Sequence, residues 1–243
     1  MALLEVEQVS VSFGGVKALH LVDLDVAAGQ ATGLIGPNGA GKTTLFNAIC
    51  GLQSIERGGI RLDGRDIVGV PAHKRARLGI ARTFQRLEVF GSMSVRDNIR
   101  VAADVRRRWA GKGGIPPAER TDQLLDRVGL RAVADQRVEG LPTGLARLVE
   151  VGRALASEPT VLLLDEPSSG LDEDETDAFA DLLEGLTGDG LAVLLVEHDV
   201  ELVMRVCAWI HVLDFGRVIS AGTPAEIQRD PQVQAAYLGT ARA

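Results

Sequence analysis

The stretch Gly36-Pro37-Asn38-Gly39-Ala40-Gly41-Lys42-Thr43-Thr44 constrains this chain more than any other. It sets glycine, four residues and then Gly-Lys-Thr between an apolar run, Ala31–Ile35, and a segment whose Leu45 and Ile49 lie four apart. That order predicts strand, glycine loop, helix, with Gly51 where a helix C-terminus favours glycine. Polyphosphate oxygens need several N–H donors converging at short range, and glycines let a backbone curl around them without Cβ clashes. The helix behind the loop aims free N–H groups and its positive dipole end at the anion. Lys42 adds a mobile positive charge near the outer phosphates, and Thr43 offers a hydroxyl to Mg²⁺. A glycine turn capped by a helix is the plainer reading; the strand before and the helix after favour the phosphate cradle.

Residues 161–164 form a second apolar run, which ends in Asp165-Glu166-Pro167. Ligands of parallel α/β sheets gather at strand carboxyl ends. Asp165 there suits the Mg²⁺ hydration shell, and Glu166 suits orienting or deprotonating a water. Alone, the motif is equally a strand meeting solvent. Beside the glycine loop it becomes half of a hydrolytic site, because phosphoryl transfer to water needs both a metal and a positioned nucleophile.

The uninterrupted apolarity of residues 161–164 and 191–196 predicts a mostly parallel sheet covered on both faces. Val6, Val9 and Val11 predict an early strand turning at Gly14-Gly15, and residues 60–62 another, turning at Asp63-Gly64. Residues 93–138 are helix-like and charged, with a break at 111–117 and an apolar face of Leu124, Leu125 and Val128. They predict a helical insertion in an α/β domain. Residues 173–186 predict a helix capped by Asp172, with Glu175 three residues on.

With 26 Lys+Arg against 33 Asp+Glu, the net charge of -7 disfavours a nucleic-acid coat, and no nucleic-acid partner is expected. Two cysteines, Cys50 and Cys207, make no disulfide framework and fit a reducing compartment. No apolar run reaches the ~20 residues of a membrane span, and no signal peptide is expected, so work at a membrane requires another chain as anchor.

With its motifs in this order, the chain resembles the ATP-binding-cassette (ABC) ATPases, over nearly its whole length. Within them it is most similar to the branched-chain amino-acid import ATPases. The stretches that carry the resemblance are 33–51, Ala81-Arg82-Thr83-Phe84-Gln85 with Phe90, Glu197-His198-Asp199 and Tyr237-Leu238-Gly239. The resemblance implies a single domain over 1–243: a P-loop α/β core, an N-terminal antiparallel β subdomain and a helical insertion at about 86–150. It implies that Phe13 stacks on adenine, the alternative being a strand-end core residue. It implies that Gln85 senses Mg²⁺ and water, that Asp172 belongs to a loop crossing to a partner cassette, and that His198 contacts the γ-phosphate. The expected cofactors are ATP and Mg²⁺. The expected partners are a second cassette (identical or different), integral permease subunits and, indirectly, a solute-binding protein. The expected location is the cytoplasmic face of the membrane.

The resemblance breaks at one motif. Where the family carries Leu-Ser-Gly-Gly-Gln, this chain has Leu141-Pro142-Thr143-Gly144-Leu145. The family's motif caps the partner's γ-phosphate with helix N–H groups and a serine hydroxyl. Pro142 removes that hydroxyl and one N–H. Either the remaining donors suffice, with Thr143 and Gly144 contributing, or the chain pairs with a different cassette and the two sites are unequal. Around Phe90 to Ile99 lie candidate permease contacts; Arg106-Arg107-Arg108 is a solvated helix face or a contact to anionic lipid. A soluble ABC ATPase, or an ATP-clamped regulatory module without a transport role, is the alternative function.

Overall fold

The computed structural model describes residues 2–110 and 114–238, so part of the expected 111–117 break, and Gly239, lie outside it. Strands β1 (Ala2–Phe13) and β2 (Val16–Ala27) form an antiparallel hairpin about Gly14-Gly15. Their buried residues alternate, then change phase: Leu4 and Val6 give way to Val9 and Val11, and Leu19 gives way to Val22, Leu24 and Val26. The phase changes fall at Gln8 and Leu21, both left-handed, where the register shifts. These β-bulges keep one face apolar across a sequence whose alternation is broken. After β3 (Ala31–Ile35) and α1 (Lys42–Cys50), β4 (Arg57–Leu62) and β5 (Arg65–Asp66) complete this four-stranded antiparallel sheet.

A six-stranded sheet forms the centre. The chain continues through α2 (Ala72–Arg77), β6 (Ile80–Arg82), α3 (Val95–Ala110), α4 (Pro117–Arg127), α5 (Thr143–Ala156), β7 (Val161–Asp165), α6 (Glu173–Gly188), β8 (Ala192–Val196), α7 (Val200–Val206), β9 (Trp209–Asp214), β10 (Arg217–Gly222), α8 (Pro224–Arg229) and α9 (Pro231–Leu238). The strand order is β10-β9-β3-β8-β7-β6, parallel except for β10 at the edge. Every residue of β3, β7 and β8 is buried. Alternate residues face opposite ways: Val161 and Leu163 pack with α1 and the antiparallel sheet, while Leu162 and Leu164 pack beneath α3, α5 and α6.

Helices α3, α4 and α5 stand between β6 and β7 and pack on one another. Val95, Ile99, Leu124 and Leu125 fill their shared core. Helix α6 begins with the expected capping box: Asp172 accepts from the Glu175 amide at 2.8 Å, and the Glu175 carboxylate accepts from the Asp172 amide at 3.1 Å. The fold is thus a P-loop α/β domain with an antiparallel N-terminal sheet and an inserted helical unit.

Candidate active site

The glycine loop lies between β3 and α1, at the carboxyl end of the central sheet. Two of its glycines are required by space as well as conformation. A Cβ on Gly36 would sit 2.0 Å from the Leu213 carbonyl oxygen, and one on Gly41 2.7 Å from that of Ala18. Both have positive φ, at 154° and 110°. Helix α1 therefore starts at a left-handed Gly41 with no side-chain hydrogen bond capping its first turn. Its free N–H groups open onto a cavity of about 350 Å³.

That cavity is lined by Asn38, Gly39, Ala40, Gly41, Lys42, Thr43 and Thr44 from the loop and helix, by Gln85 after β6, and by Asp165 and Glu166 at the end of β7. Gly36 and Pro37 do not line it. Their carbonyls accept from Lys42 Nζ, at 2.6 and 3.0 Å. Burial lowers the Lys42 pKa, and the Glu166 and Asp165 carboxylates partly restore it. A cation held on two neutral carbonyls in a half-buried site is poised to exchange them for phosphate oxygens.

Asp165 ends β7 with 2 % of its side chain exposed. Burial raises its pKa, and the hydrogen bond and charge of Arg82 oppose that rise. The Arg82–Asp165 contact is 2.8 Å, with both side chains buried. Removing one member of such a pair costs roughly 3–5 kcal/mol, because the other charge is left uncompensated. Glu166 follows with a left-handed backbone (φ 51°), pinned by its N–H on the Val196 carbonyl at 2.8 Å. A non-glycine residue in that region is costly and is often found at working sites. The turn aims Glu166 Oε2 at Gln85 Nε2, 3.3 Å away, and Oε1 at His198 Nδ1, 3.8 Å away. His198 does not line the cavity and its side chain is 70 % exposed. It stands behind Glu166, on the loop between β8 and α7.

The remaining expected site residues stand apart from this cavity. Leu141, Thr143, Gly144 and Asp172 do not line it. Thr143 and Gly144 open α5 and pack against the loop before α6: a Cβ on Gly144 would sit 2.7 Å from Leu171 and 2.8 Å from Glu175, and one on Gly170 3.1 Å from Thr143. Phe13 is 53 % exposed at the β1–β2 turn, which removes the alternative of a core phenylalanine. The permease-contact segment also needs correction. Val95 and Ile99 are fully buried and Asn98 is locked to both the N–H and the carbonyl of Phe90, so only Phe90 of these apolar residues presents a ring outward. Its ring lies 4.6 Å from the Arg153 guanidinium. Arg106 is not simply solvated; it pairs with Glu158 at 3.1 Å.

Three groups that the sequence leaves without a role hold the site together. Arg82 pairs with Asp165. Buried Glu197 accepts from the Ser168 and His198 amides, joining the loops after β7 and β8. Arg147 and Glu150 of α5 grip the backbone of Phe84 and Gln85: Arg147 donates to both carbonyls, at 2.8 and 2.5 Å, and Glu150 accepts from the Phe84 amide at 3.0 Å. The available sequence signal was charge within otherwise apolar segments, as at Ile80-Ala81-Arg82.

Among the described residues, no three His, Cys, Asp or Glu side chains converge to hold a metal alone. The oxygen donors that do face the cavity, from Thr43, Gln85 and Asp165, fit Mg²⁺, which binds through few protein ligands together with substrate phosphates.

Comparison with known proteins agrees with this geometry. Residues 19–169 match the family described as ABC transporter, and residues 217–243 match the family described as branched-chain amino acid ATP-binding cassette transporter. The high-affinity branched-chain amino acid transport ATP-binding protein BraF of Pseudomonas aeruginosa is 38 % identical, the match covering 98 % of each chain. The lipopolysaccharide export system ATP-binding protein LptB of Acidithiobacillus ferridurans is 37 % identical, covering 98 % of this chain and 97 % of that one. Among solved structures, MJ1267, an ATP-binding cassette of an ABC transporter, superposes with a TM-score of 0.87 at 28 % identity, covering 98 % and 99 % of the two chains. The chain belongs to the ABC transporter family, as one of its ATP-binding, ATP-hydrolysing cassettes.

Proposed function

We propose that this cassette powers uptake of branched-chain amino acids or similar small solutes, from the cytoplasmic face of a membrane, through permease subunits on which it docks. The observation that carries the reading is the convergence of Lys42, Thr43, Gln85, Asp165 and Glu166 on one cavity at the N-terminus of α1. The full-length likeness to BraF supports the choice of cargo.

In this reading the backbone amides from Gly39 to Thr44 and Lys42 Nζ hold the β- and γ-phosphates, and Phe13 stacks on adenine. Thr43 and Asp165, with Gln85, hold Mg²⁺, which would neutralise phosphate charge there. Glu166 takes the proton of the attacking water at a carboxylate oxygen, and Gln85 orients that water. His198 steadies Glu166 and reaches the γ-phosphate. Leu141, Thr143 and Gly144 sit away from this cavity because they serve the ATP of a second cassette, and the loop at Asp172 crosses with them. ATP closes the pair by binding the closed state better than the open one.

Among the described residues no helix is long and apolar enough to cross a membrane. A groove of about 490 Å³ between the sheet and the helical unit, lined by Leu52, Phe84, Trp109 and Arg153 among others, offers the permease an apolar seat with a charged rim. The LptB likeness supports lipopolysaccharide export as a second reading. Reconstitution with its permease partners in vesicles decides between them. Leucine-stimulated ATP turnover with leucine accumulation is expected; turnover stimulated by lipopolysaccharide alone favours the second reading. Whether the two sites are equal is tested by blocking each with Glu166→Gln in mixed pairs, where unequal loss reveals an asymmetric pair.

A further inference from the structure

We propose that Arg82 is a positioning residue of the metal site, a cross-brace that sets the gap between the two elements that carry its oxygen donors. The inference rests on the reading of Thr43 and Asp165 as metal holders.

The geometry is specific. Arg82 is the last residue of β6, and its side chain is 6 % exposed. Its Nη2 donates to Asp165 Oδ2 at 2.8 Å, Nη1 donates to Asn47 Oδ1 at 2.6 Å, and Nε donates to the Thr83 carbonyl at 3.2 Å. The guanidinium also lies near two rings, Phe46 at 5.3 Å and Phe84 at 4.9 Å. With bonds in three directions and rings beside it, the fork has little freedom to turn.

What it joins gives the brace its meaning. Asn47 lies on α1 four residues after Thr43, so the two share one helix face, a turn apart. Asp165 closes β7. The guanidinium therefore spans from the helix bearing Thr43 to the strand bearing Asp165. It donates to Oδ2 and makes no bond to Oδ1 of the Asp165 carboxylate, a residue that also lines the cavity. A simple counter-ion for Asp165 would not need Asn47. A planar fork that holds both at fixed separation does, and a lysine, with a single point of charge, cannot make both bonds in that geometry.

Mg²⁺ demands near-ideal octahedral geometry and short bonds, whereas Ca²⁺ accepts longer and more variable ones. A loosened brace therefore harms Mg²⁺ more than Ca²⁺. Displacement of a fluorescent ATP analogue from the full-length chain, titrated with Mg²⁺ and with Ca²⁺, measures this without any turnover. Arg82→Lys and Asn47→Ala are each expected to weaken the Mg²⁺ dependence about tenfold. The Ca²⁺ dependence is expected to shift less, and metal-free ATP affinity to stay as in the parent chain. If Arg82→Lys does not fold, Asn47→Ala, which keeps the Arg82–Asp165 pair, carries the test alone. Mg²⁺ curves that superpose on the parent's while Tm falls would make Arg82 a structural residue only, and equal shifts for both ions would remove the brace. Asp165→Asn separates the two levels of inference: if it leaves metal dependence intact, the metal reading of Asp165 falls and the brace with it.

Discussion

Helices α1 and α5 both begin at sites expected to face phosphate, and they are built in opposite ways. The start of α1 is enclosed. Its glycine loop curls over it, Lys42 folds back across it, and Gln85, Asp165 and Glu166 close a cavity around its free N–H groups. The start of α5 is bare. Pro142 stands at its N-cap with no side-chain hydrogen bond, Thr143 is exposed, and Gly144 is pressed against Leu171 and Glu175 of the same chain. A helix N-terminus attracts anions through its dipole and free amides. Only α1 adds the cation, the carboxylates and the walls that make chemistry. The difference fits the proposal that α5 contributes to a site completed by a second cassette.

The largest effect should come from the enclosed end. Glu166→Gln is expected to bind Mg·ATP and dimerise while losing on the order of 1000-fold in turnover. Parent-like hydrolysis in that variant would break the assignment of the base. At the bare end, Gly144→Ala sets a methyl against the tips of the Leu171 and Glu175 side chains, which must move aside. It is expected to lower turnover of the assembled pair by up to about 100-fold through misplacement, with ATP affinity of the isolated chain unchanged. A loss of affinity in the isolated chain would instead place Gly144 in its own chain's site.

Two smaller substitutions sharpen the contrast. Asp172→Ala removes the capping box and is expected to cost about 1 kcal/mol of stability by urea unfolding. Asp172→Asn keeps a cap, so lost turnover without lost stability in that variant reports its role toward the partner. Pro142→Ser restores the hydroxyl that the family's motif carries there. It is expected to change stability by less than about 1 kcal/mol, since a gained cap is offset by a freer unfolded chain. If backbone donors suffice, turnover changes little; a large gain shows that the missing hydroxyl limits this site.

A further effect is one of pH. Burial pushes the Cys207 thiol up to about 12, from an ordinary 9.0. As pH rises past 9 the unfolded chain gives up this proton first, so folding stability falls through that window and levels near 12. A Cys207→Ala chain lacks that component, and urea midpoints at pH 8 and pH 10 reveal the difference.

Much of this was legible without coordinates. Unbroken apolar runs at residues 161–164 and 191–196 specified buried parallel strands, because a strand covered on both faces has no polar side to show. The glycine loop specified its own shape, since the required φ values and close approaches admit no Cβ. The capping box of α6 was readable because both partners lie within four residues. Strand β2 was not, because the left-handed bulge at Leu21 breaks its alternation.

The sequence by itself therefore determined the local devices: the phosphate loop, the strand end with two carboxylates, the caps. Tertiary structure alone decided which side chains meet across distance. Arg82 reaches Asp165 over 83 positions, Gln85 reaches Glu166 over 81, and Arg147 grips the Gln85 carbonyl over 62. No periodicity or spacing encodes those meetings. They follow from which strands lie side by side and which helix packs over them, a property of the whole core that no short window of residues carries.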